Sequence, residues 1–404
     1  MQQRSVFRVG ASLLIASLAL SSCGSRGDTT STSSGNKTAV IGVTAPFSGS
    51  LSALGLGIQH SVELAVKEAN ANNTIPGWTL KVEAKDDEGK PDVGKNAATA
   101  FAGEPNVAGV VGNLNSSVSQ STQPVFSTAK IVQVSPANTG PSLTMGKDWK
   151  TAPVRTYPTY FRTVTTDAVQ GPFAATYLFK TAGIKKVATI HDKKTYGQGL
   201  VAAFTEKFKQ LGGTVTAAET INPDDSNFQN VISKVKPTGP SAVFYGGEYP
   251  QAGPLSQQMK AAGLNVPLMG GDGIYDPKFI VLAGATANGD FATNPGAPTA
   301  SLASAKSFVE AYTAAGFKDP YGAYGAFSYD AANAIIAALK VSLKDAKDVA
   351  SARQATLDAM PGVNFEGANG HVGFNKYGDT TGHTLTVYKV TSLKWDPVLT
   401  EDFK

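Results

Sequence analysis

VIGVTAPFSGSLSALGLGIQHSVELAVKEANA, residues 40–71, is the stretch that decides the fold of this 404-residue chain. Its first five residues, Val40–Thr44, are apolar or β-branched apart from one glycine, which is typical of a buried strand. A turn rich in Gly and Ser follows, and then a segment with apolar residues at helical spacing, namely Ile58, Val62, Ala65, Val66 and Ala69. The stretch predicts a strand followed by a helix, the repeating unit of parallel sheets.

The same alternation continues to about residue 135. Further strands are predicted at Leu80–Ala84, Val107–Gly112 and Ile131–Ser135, and further helices near Val93–Phe101 and Val118–Ala129. Four strands joined by crossover helices predict a first parallel sheet.

The alternation begins again after Arg162 and predicts a second parallel sheet. Its predicted strands are Val187–His191, Val215–Ile221, Ala242–Tyr245 and Val266–Gly270, and its predicted helices are Ala168–Thr181, Leu200–Leu211, Phe228–Val235 and Pro254–Ala262. The fold class is therefore α/β, with two doubly wound parallel-sheet lobes of similar architecture.

The last hundred residues divide between these lobes. Helices are predicted at Ala303–Gly316, Tyr324–Lys340 and Val349–Met360 with no strand between them, so we expect them to return and cover the first lobe. His383–Val390 alternates like an antiparallel edge strand and fits the second sheet.

The N-terminal segment predicts export and a membrane anchor. Arg4 and Arg8 precede an apolar run, Val9–Leu20, that has the length of a signal-peptide core and is too short to span a bilayer. The run ends in Leu-Ser-Ser-Cys23, which resembles the bacterial lipobox and makes Cys23 the expected lipidation site; a plain secretory peptide is the alternative. Residues 24–37 are small and polar and predict a flexible tether.

Composition is that of a globular protein without a strong charge. Of 35 basic residues, the segment before Cys23 holds two, which leaves 33 basic against 31 acidic residues, about +2 in the remainder. This balance gives no broad electrostatic reason to bind nucleic acid. Cys23 is the one cysteine of the sequence, so the body is predicted to fold without an internal disulfide.

Sequence motifs of catalysis are mostly missing. The four histidines form no cluster with metal-ligand spacing, and the sequence contains no HExxH, CxxC pair, GxGxxG, GxxxxGK[ST] or GxSxG. We expect no enzyme activity, no cofactor and no metal.

The loops after the predicted strands carry groups suited to a zwitterion. Asn113–Ser117 brings hydroxyls to a helix N-terminus, where an anion is favoured, although capping by serine is the more ordinary role. A second hydroxyl loop, Pro136–Thr139, follows the fourth strand and is also compatible with a simple turn. Two lobes that face each other are predicted to form a cleft, and Tyr196, in the second half of the chain, lies at its edge. Glu248 and Asp272 put carboxylates at strand ends, where they can hold an ammonium group or act as helix caps.

Taken in order, these loops resemble the leucine/isoleucine/valine-binding proteins of bacterial ABC importers. The segments that carry the resemblance are VIGVTAPFSG, LNSSVSQSTQP, VSPANTGPSLT, HDKKTYGQG, FYGGEYPQAG, MKAAGL and LMGGDG. The resemblance runs from about Val40 to the C-terminus and implies a type I periplasmic-binding fold with three hinge strands, near Arg162–Thr166, Thr293–Pro295 and Glu366–His371. It divides the chain into a signal peptide (1–23), a tether (24–37), lobe 1 (38–163 and 295–368) and lobe 2 (164–294 and 369–404).

The resemblance also implies roles for single residues. Ser116, Ala137 and Thr139 would hold the carboxylate of an amino acid, Tyr196 would close over the ligand, and Asp272 would meet its ammonium group.

The sequence departs from the family pattern in three places. Leu54 and Glu248 stand where the resemblance implies aromatic residues, which alters the side-chain end of the pocket, and the positions of the family's disulfide in the first lobe read Gly89 and Asn115. Glu248 could bind a second cationic group or reinforce Asp272.

The expected function is a monomeric, extracytoplasmic, lipid-anchored protein that captures a branched-chain amino acid or close analogue and delivers it to the membrane permease of an ABC importer. Another small solute, such as an amide, urea, an aromatic acid or a cationic amino acid, is the first alternative. The pocket wall formed by Leu54, Glu248 and the aromatic residues of Tyr321–Tyr329 is expected to discriminate among these ligands. A surface-anchored enzyme is the second alternative.

Overall fold

A computed structural model describes residues 36–403 of the chain. The predicted signal peptide, Cys23 and most of the tether lie outside the described residues. Among the described residues, no helix is both long enough and apolar enough to cross a bilayer.

The first sheet has five parallel strands in the order β2-β1-β3-β4-β5. Its strands are β1 (Lys37–Ala45), β2 (Trp78–Asp86), β3 (Val107–Gly112), β4 (Val132–Ser135) and β5 (Tyr160–Arg162). The helices that connect them are α1 (Ser52–Ala71), α2 (Pro91–Gly103), α3 (Ser116–Ala129) and α4 (Ser142–Met145). All six residues of β3 are buried, as expected for a central strand that is covered on both faces.

The five apolar positions from which α1 was predicted are all buried. They form the face of the helix that packs against the core. The predicted four strands of this sheet are present, and β5 adds a fifth that sequence reasoning did not mark. With only three residues, β5 is too short to give a clear pattern.

The second sheet has seven strands in the order β14-β13-β10-β9-β8-β6-β7. Strands β6 (Lys186–His191), β7 (Thr214–Thr220), β8 (Ala242–Gly246), β9 (Leu268–Gly270) and β10 (Phe291–Pro295) pair in parallel. Strand β13 (Thr384–Thr391) pairs antiparallel with β10, and β14 (Lys394–Asp402) pairs antiparallel with β13. Its helices are α5 (Asp167–Thr176), which continues as a π-helical turn (Tyr177–Thr181), α6 (Thr195–Gln210), α7 (Gln229–Val235), α8 (Tyr249–Ala261) and α9 (Pro277–Ala283).

The prediction that His383–Val390 forms an edge strand is wrong in one respect. The strand is antiparallel, but β14 pairs on its outer side and is itself the edge. Strand β14 contains Pro397, which has no N–H to donate and is tolerated at a sheet edge, and the register shifts beside it, between Val387 and Tyr388. The proline and the mostly exposed side chains hid this strand from the hydrophobic pattern.

Three C-terminal helices return to the first sheet: α10 (Lys306–Ala315), α11 (Gly325–Ser342) and α12 (Val349–Ala359). Helix α11 packs along α1 and on β3 and β4, and α12 packs on β3. The approach of α11 is close, because a Cβ on Gly109 of β3 would lie 2.8 Å from Cγ2 of Ile335. We call the first sheet with α1–α4 and α10–α12 the first lobe, and the second sheet with α5–α9 the second lobe.

The three predicted hinge segments lie beside one another. Residues Thr163, Thr165, Pro295, Gly296, Asn369 and His371 line one small cavity. The third segment falls on a hairpin of β11 (Asn364–Gly367) and β12 (Gly370–Gly373). Buried Asp330 of α11 accepts hydrogen bonds from the backbone N–H groups of Ala368 (2.7 Å) and Asn369 (2.9 Å), which fixes the hairpin turn to the first lobe. The lobe boundaries given above remain predictions.

Candidate functional site

A small enclosed cavity lies where the carboxyl ends of strands from both sheets meet. Its lining residues are Leu54, Leu114, Asn115, Ser116, Ala137, Tyr196, Glu248, Asp272, Gly273 and Tyr324. They include six of the seven residues predicted to bind the ligand, and the seventh, Thr139, is buried two positions after Ala137. The cavity has a volume of about 20 Å³, which is room for one or two waters. Residues far apart in the chain are thus brought to one site, and a larger guest requires the lobes to separate or the walls to move.

The first lobe contributes the hydroxyl side of the cavity. Ser116 is the first residue of α3, a 14-residue helix whose N-terminus carries partial positive charge. The loops after β3 and β4 are held together by Ser135, whose Oγ donates to the Asn113 carbonyl (2.9 Å) and accepts from the Asn138 backbone N–H (2.9 Å). Thr139 is fully buried beside Asp167, whose backbone N–H donates to the Thr139 carbonyl (2.8 Å). This side of the cavity therefore suits an anionic group.

The second lobe contributes a buried carboxyl group at Asp272. It accepts hydrogen bonds from the hydroxyls of Tyr196 (2.9 Å) and Tyr324 (2.8 Å). Burial raises the pKa of Asp272, and the two hydroxyls act against that rise. Because Tyr196 is the second residue of the second lobe's α6 and Tyr324 precedes the first lobe's α11, Asp272 joins both lobes.

A second buried carboxyl group, Asp167, was missed by sequence reasoning. It is the first residue of α5 and only 1% exposed; its backbone N–H donates to the Thr139 carbonyl (2.8 Å), and a hydrogen bond with the Thr139 side chain acts to lower its pKa. Burial, followed by the charge of Asp272, raises the pKa of Asp167 to about 8. In the sequence it follows Thr166 at a helix start, where an acidic residue reads as a favourable helix-end charge, so nothing distinguished it. Two carboxyl groups that repel each other form a site that a cation would stabilise.

Glu248 is already paired. The Lys194 ammonium contacts its Oε2 at 2.6 Å, and the Asn115 side-chain amide donates to its Oε1 at 2.8 Å. Burial alone would raise the pKa of Glu248, but Lys194 holds it below its usual value. Neighbouring Asp192 is fully buried, and burial together with the charge of Glu248 raises its pKa to about 8. The partner of Glu248 is therefore Lys194, which sequence reasoning did not single out.

The two positions that carry the family disulfide are neighbours in this chain. A Cβ on Gly89 would lie 3.1 Å from Oδ1 of Asn115. The side-chain amide of Asn115 instead donates a hydrogen bond to Glu248 of the second lobe. A covalent link within the first lobe is replaced by a polar contact between lobes.

Of the aromatic residues predicted to form the pocket wall, Tyr324 lines this cavity. Tyr321 lines a separate and larger groove of about 760 Å³, together with Tyr275, Tyr388 and Trp395, and none of the predicted ligand residues lies there. Tyr329 donates from its hydroxyl to Glu68 in the first lobe. The small cavity, which holds the buried charged groups, is the better candidate for recognition of a zwitterion.

The family model of the periplasmic binding proteins matches residues 38–394. The chain belongs to this family. It is 30% identical over 356 residues to the Leu/Ile/Val-binding protein homolog 3 of Brucella melitensis, an alignment that covers 88% of this chain and 91% of the relative. The predicted membership of the leucine/isoleucine/valine-binding proteins is thereby confirmed.

Solved structures confirm the type I periplasmic-binding fold. A leucine-binding protein, LivK, of Thermotoga maritima superposes with a TM-score of 0.79 at 26% identity, covering 90% of this chain and 98% of its own. The branched-chain amino acid binding protein LivJ of Streptococcus pneumoniae, solved in complex with isoleucine, has a TM-score of 0.78 at 27% identity and covers 90% and 99%. The family and the fold are those of solute-binding proteins of ABC transporters.

Proposed function

We propose that this protein is an extracytoplasmic, lipid-anchored solute-binding protein that captures an amino acid, of branched-chain type or a close analogue, and delivers it to the permease of an ABC importer. The observation that carries the proposal is the buried carboxyl group of Asp272, which lines the same cavity as Ser116 at the N-terminus of α3 and whose charge raises the pKa of buried Asp167 nearby. A zwitterion matches both ends at once. The relatives named for Leu, Ile and Val, and the one solved with isoleucine, support the class of ligand.

In the proposed complex, the ligand carboxylate is held by the Ser116 hydroxyl, the Ala137 backbone and the Thr139 hydroxyl. A carboxylate at the start of α3 gains from the partial positive charge of the helix end and from free hydroxyl donors.

The ammonium group is held by Asp272 and by Asp167, which adjoins Thr139, under cover of Tyr196. Each carboxyl group is buried where ionisation is unfavourable, and a cation between them relieves both their desolvation and their mutual repulsion. The Tyr196 hydroxyl already donates to Asp272 and fixes its orientation. The site is thus pre-organised for an α-ammonium group.

Closure of the lobes is the proposed mechanism of capture. Several hydrogen bonds already cross between the lobes: Asn115–Glu248 (2.8 Å), Tyr324–Asp272 (2.8 Å), Thr195–Gln120 (3.0 Å) and the Tyr249 hydroxyl to the Ser50 carbonyl. A ligand that contacts both lobes binds the closed form better and shifts the equilibrium toward it. The predicted hinges at residues 162–166, 293–295 and 366–371 would carry the motion, and the closed monomer is the form offered to the permease. Lipidation of Cys23 would hold it at the membrane, where a tether raises its effective concentration near that partner.

A thermal-shift titration of the full-length protein with amino acids tests the proposal. A specific ligand at about 100 times its Kd is expected to add about 2.7 kcal/mol to the free energy of unfolding. Ser116→Ala combined with Thr139→Ala should abolish this shift and leave the circular dichroism spectrum unchanged. Thr128→Ala, an exposed position at the far end of α3, is the matched control and should respond like the parent protein. A double variant that still responds would place the carboxylate elsewhere.

A further inference from the structure

We propose that the side chain of the bound amino acid ends in a neutral hydrogen-bond donor, an amide or a hydroxyl, which Asn115 and Glu248 recognise. This inference rests on the proposed function and names the class of amino acid. It departs from the branched-chain ligands of the relatives, and it follows from the groups that this chain places at the side-chain end of the cavity.

The polar wall of the cavity offers acceptors to a ligand. The Asn115 amide group and the Lys194 ammonium each donate to Glu248, which holds its carboxylate in place. Oδ1 of Asn115 is buried and has no partner within residues 36–403, and each carboxylate oxygen of Glu248 can accept a further bond. A ligand that brings a donor completes this wall.

A hydrocarbon side chain does the opposite. It would cover the Asn115 carbonyl oxygen and the Glu248 carboxylate without giving either a hydrogen bond, and a buried acceptor left unpaired is costly. The aromatic residues that would favour hydrocarbon in relatives are replaced here by Leu54 and Glu248. Leu54 and Leu114 still supply apolar contact for one or two methylene groups.

The charges of the wall favour a neutral donor over a cationic one. Lys194 neutralises Glu248 at 2.6 Å, and burial together with the charge of Glu248 raises the pKa of neighbouring Asp192, which favours its uncharged form. The pair of Lys194 and Glu248 has no net charge. A second ammonium group would therefore meet Lys194 without an unpaired negative charge to balance it.

The donor must lie close to the ligand backbone. Asn115 directly precedes Ser116, the proposed carboxylate ligand, and the cavity is small. These constraints point to serine, threonine, asparagine or glutamine.

Isothermal titration of the full-length protein with two sets of amino acids tests the inference. The first set is serine, threonine, asparagine and glutamine, and the second is leucine, isoleucine, valine and lysine. At least one member of the first set should bind about tenfold or more tightly than every member of the second. Equal or tighter binding of a branched-chain amino acid or of lysine overturns the inference and leaves the proposed function intact. Absence of binding by all amino acids overturns both.

Asn115→Leu separates recognition of the side chain from recognition of the backbone. It should weaken the preferred polar amino acid about tenfold or more, and should leave leucine binding unchanged or stronger. Ser116→Ala, by comparison, should weaken both sets alike. If Asn115→Leu lowers both sets equally, or fails to change the polar one, Asn115 does not recognise the side chain. The selectivity of the parent protein still decides the inference if this variant does not fold.

Discussion

Replacing Asp167 by Asn should stabilise the ligand-free protein and weaken its ligand binding. Asp167 is 1% exposed, and burial followed by the charge of Asp272 raises its pKa to about 8, although a hydrogen bond with the Thr139 side chain acts to lower it. Asn has nearly the same shape and no charge to bury. The variant thus removes the free-energy cost of burying an ionisable carboxyl group in the ligand site. Loss of stability in exchange for function is common in proteins.

The size of the effect follows from the two pKa values. In the unfolded chain Asp167 ionises near its usual value of 3.8, whereas in the folded protein it keeps its proton up to about pH 8. Folding in this interval takes up a proton, so the parent protein loses stability as pH rises from about 4 to about 8, and the loss is absent below that window. Between about pH 5 and about pH 7, the gap between the variant and the parent should widen by about 2.7 kcal/mol, or about 1.36 kcal/mol for each pH unit.

Urea denaturation of both proteins at the two pH values measures this gap, because titrating groups that do not interact with Asp167 cancel in the difference. Asp345→Asn, an exposed position in the loop after α11, is the control and should show no pH-dependent gap. A gap for Asp167→Asn that stays constant with pH would refute the assignment of a protonated, buried Asp167. In the parent protein, an ammonium group favours the ionised form, so ligand binding should release a proton and strengthen as pH rises toward 8. Titration calorimetry in buffers of different ionisation enthalpy detects that proton.

Two further predictions concern the frame and the anchor. Asp379→Ala removes the carboxylate that contacts fully buried Arg162 at 2.6 Å and should lower the free energy of unfolding, measured by urea titration, by about 3 kcal/mol. The control is Glu310→Gln, which breaks the exposed pair with Lys306 and should change the free energy of unfolding by less than about 0.5 kcal/mol. Equal effects of the two variants would contradict the reasoning. Cys23→Ser should move the protein from the membrane to the soluble fraction without changing the Kd of its ligand; continued membrane association would show that another segment anchors it.

The periodicity of the sequence predicted most of the α/β frame because buried strands and amphipathic helices have different periods. Strand β3 was predicted with its observed bounds, since an apolar run covered on both faces ends sharply at polar loops. Helix α8 begins at Tyr249, five residues before the predicted Pro254, because Pro250 occupies its first turn and the second proline is tolerated inside. Prolines mark helix starts only ambiguously when two stand four residues apart.

The candidate site was predictable where it depends on topology and unpredictable where it depends on contacts between distant residues. Loops after parallel strands gather at one edge, so the positions of Ser116, Ala137 and Asp272 followed from the order of the strands. The pairing of Lys194 with Glu248, 54 residues later, has no local pattern. The same is true of Asp167, whose importance lies in its burial next to Asp272.

The hydrogen bond between Thr195 and Gln120 at the rim of the cleft marks a place where a label can report the movement of the lobes. This hydrogen bond is exposed and joins the first residue of α6 to α3 across the lobes. The sequence contains no cysteine after position 23. A cysteine introduced at either position would be the one thiol of a Cys23→Ser background and would accept a single environment-sensitive dye. Such a labelled protein would convert the movement of the lobes into an optical signal, and so become a reagentless sensor for its own ligand.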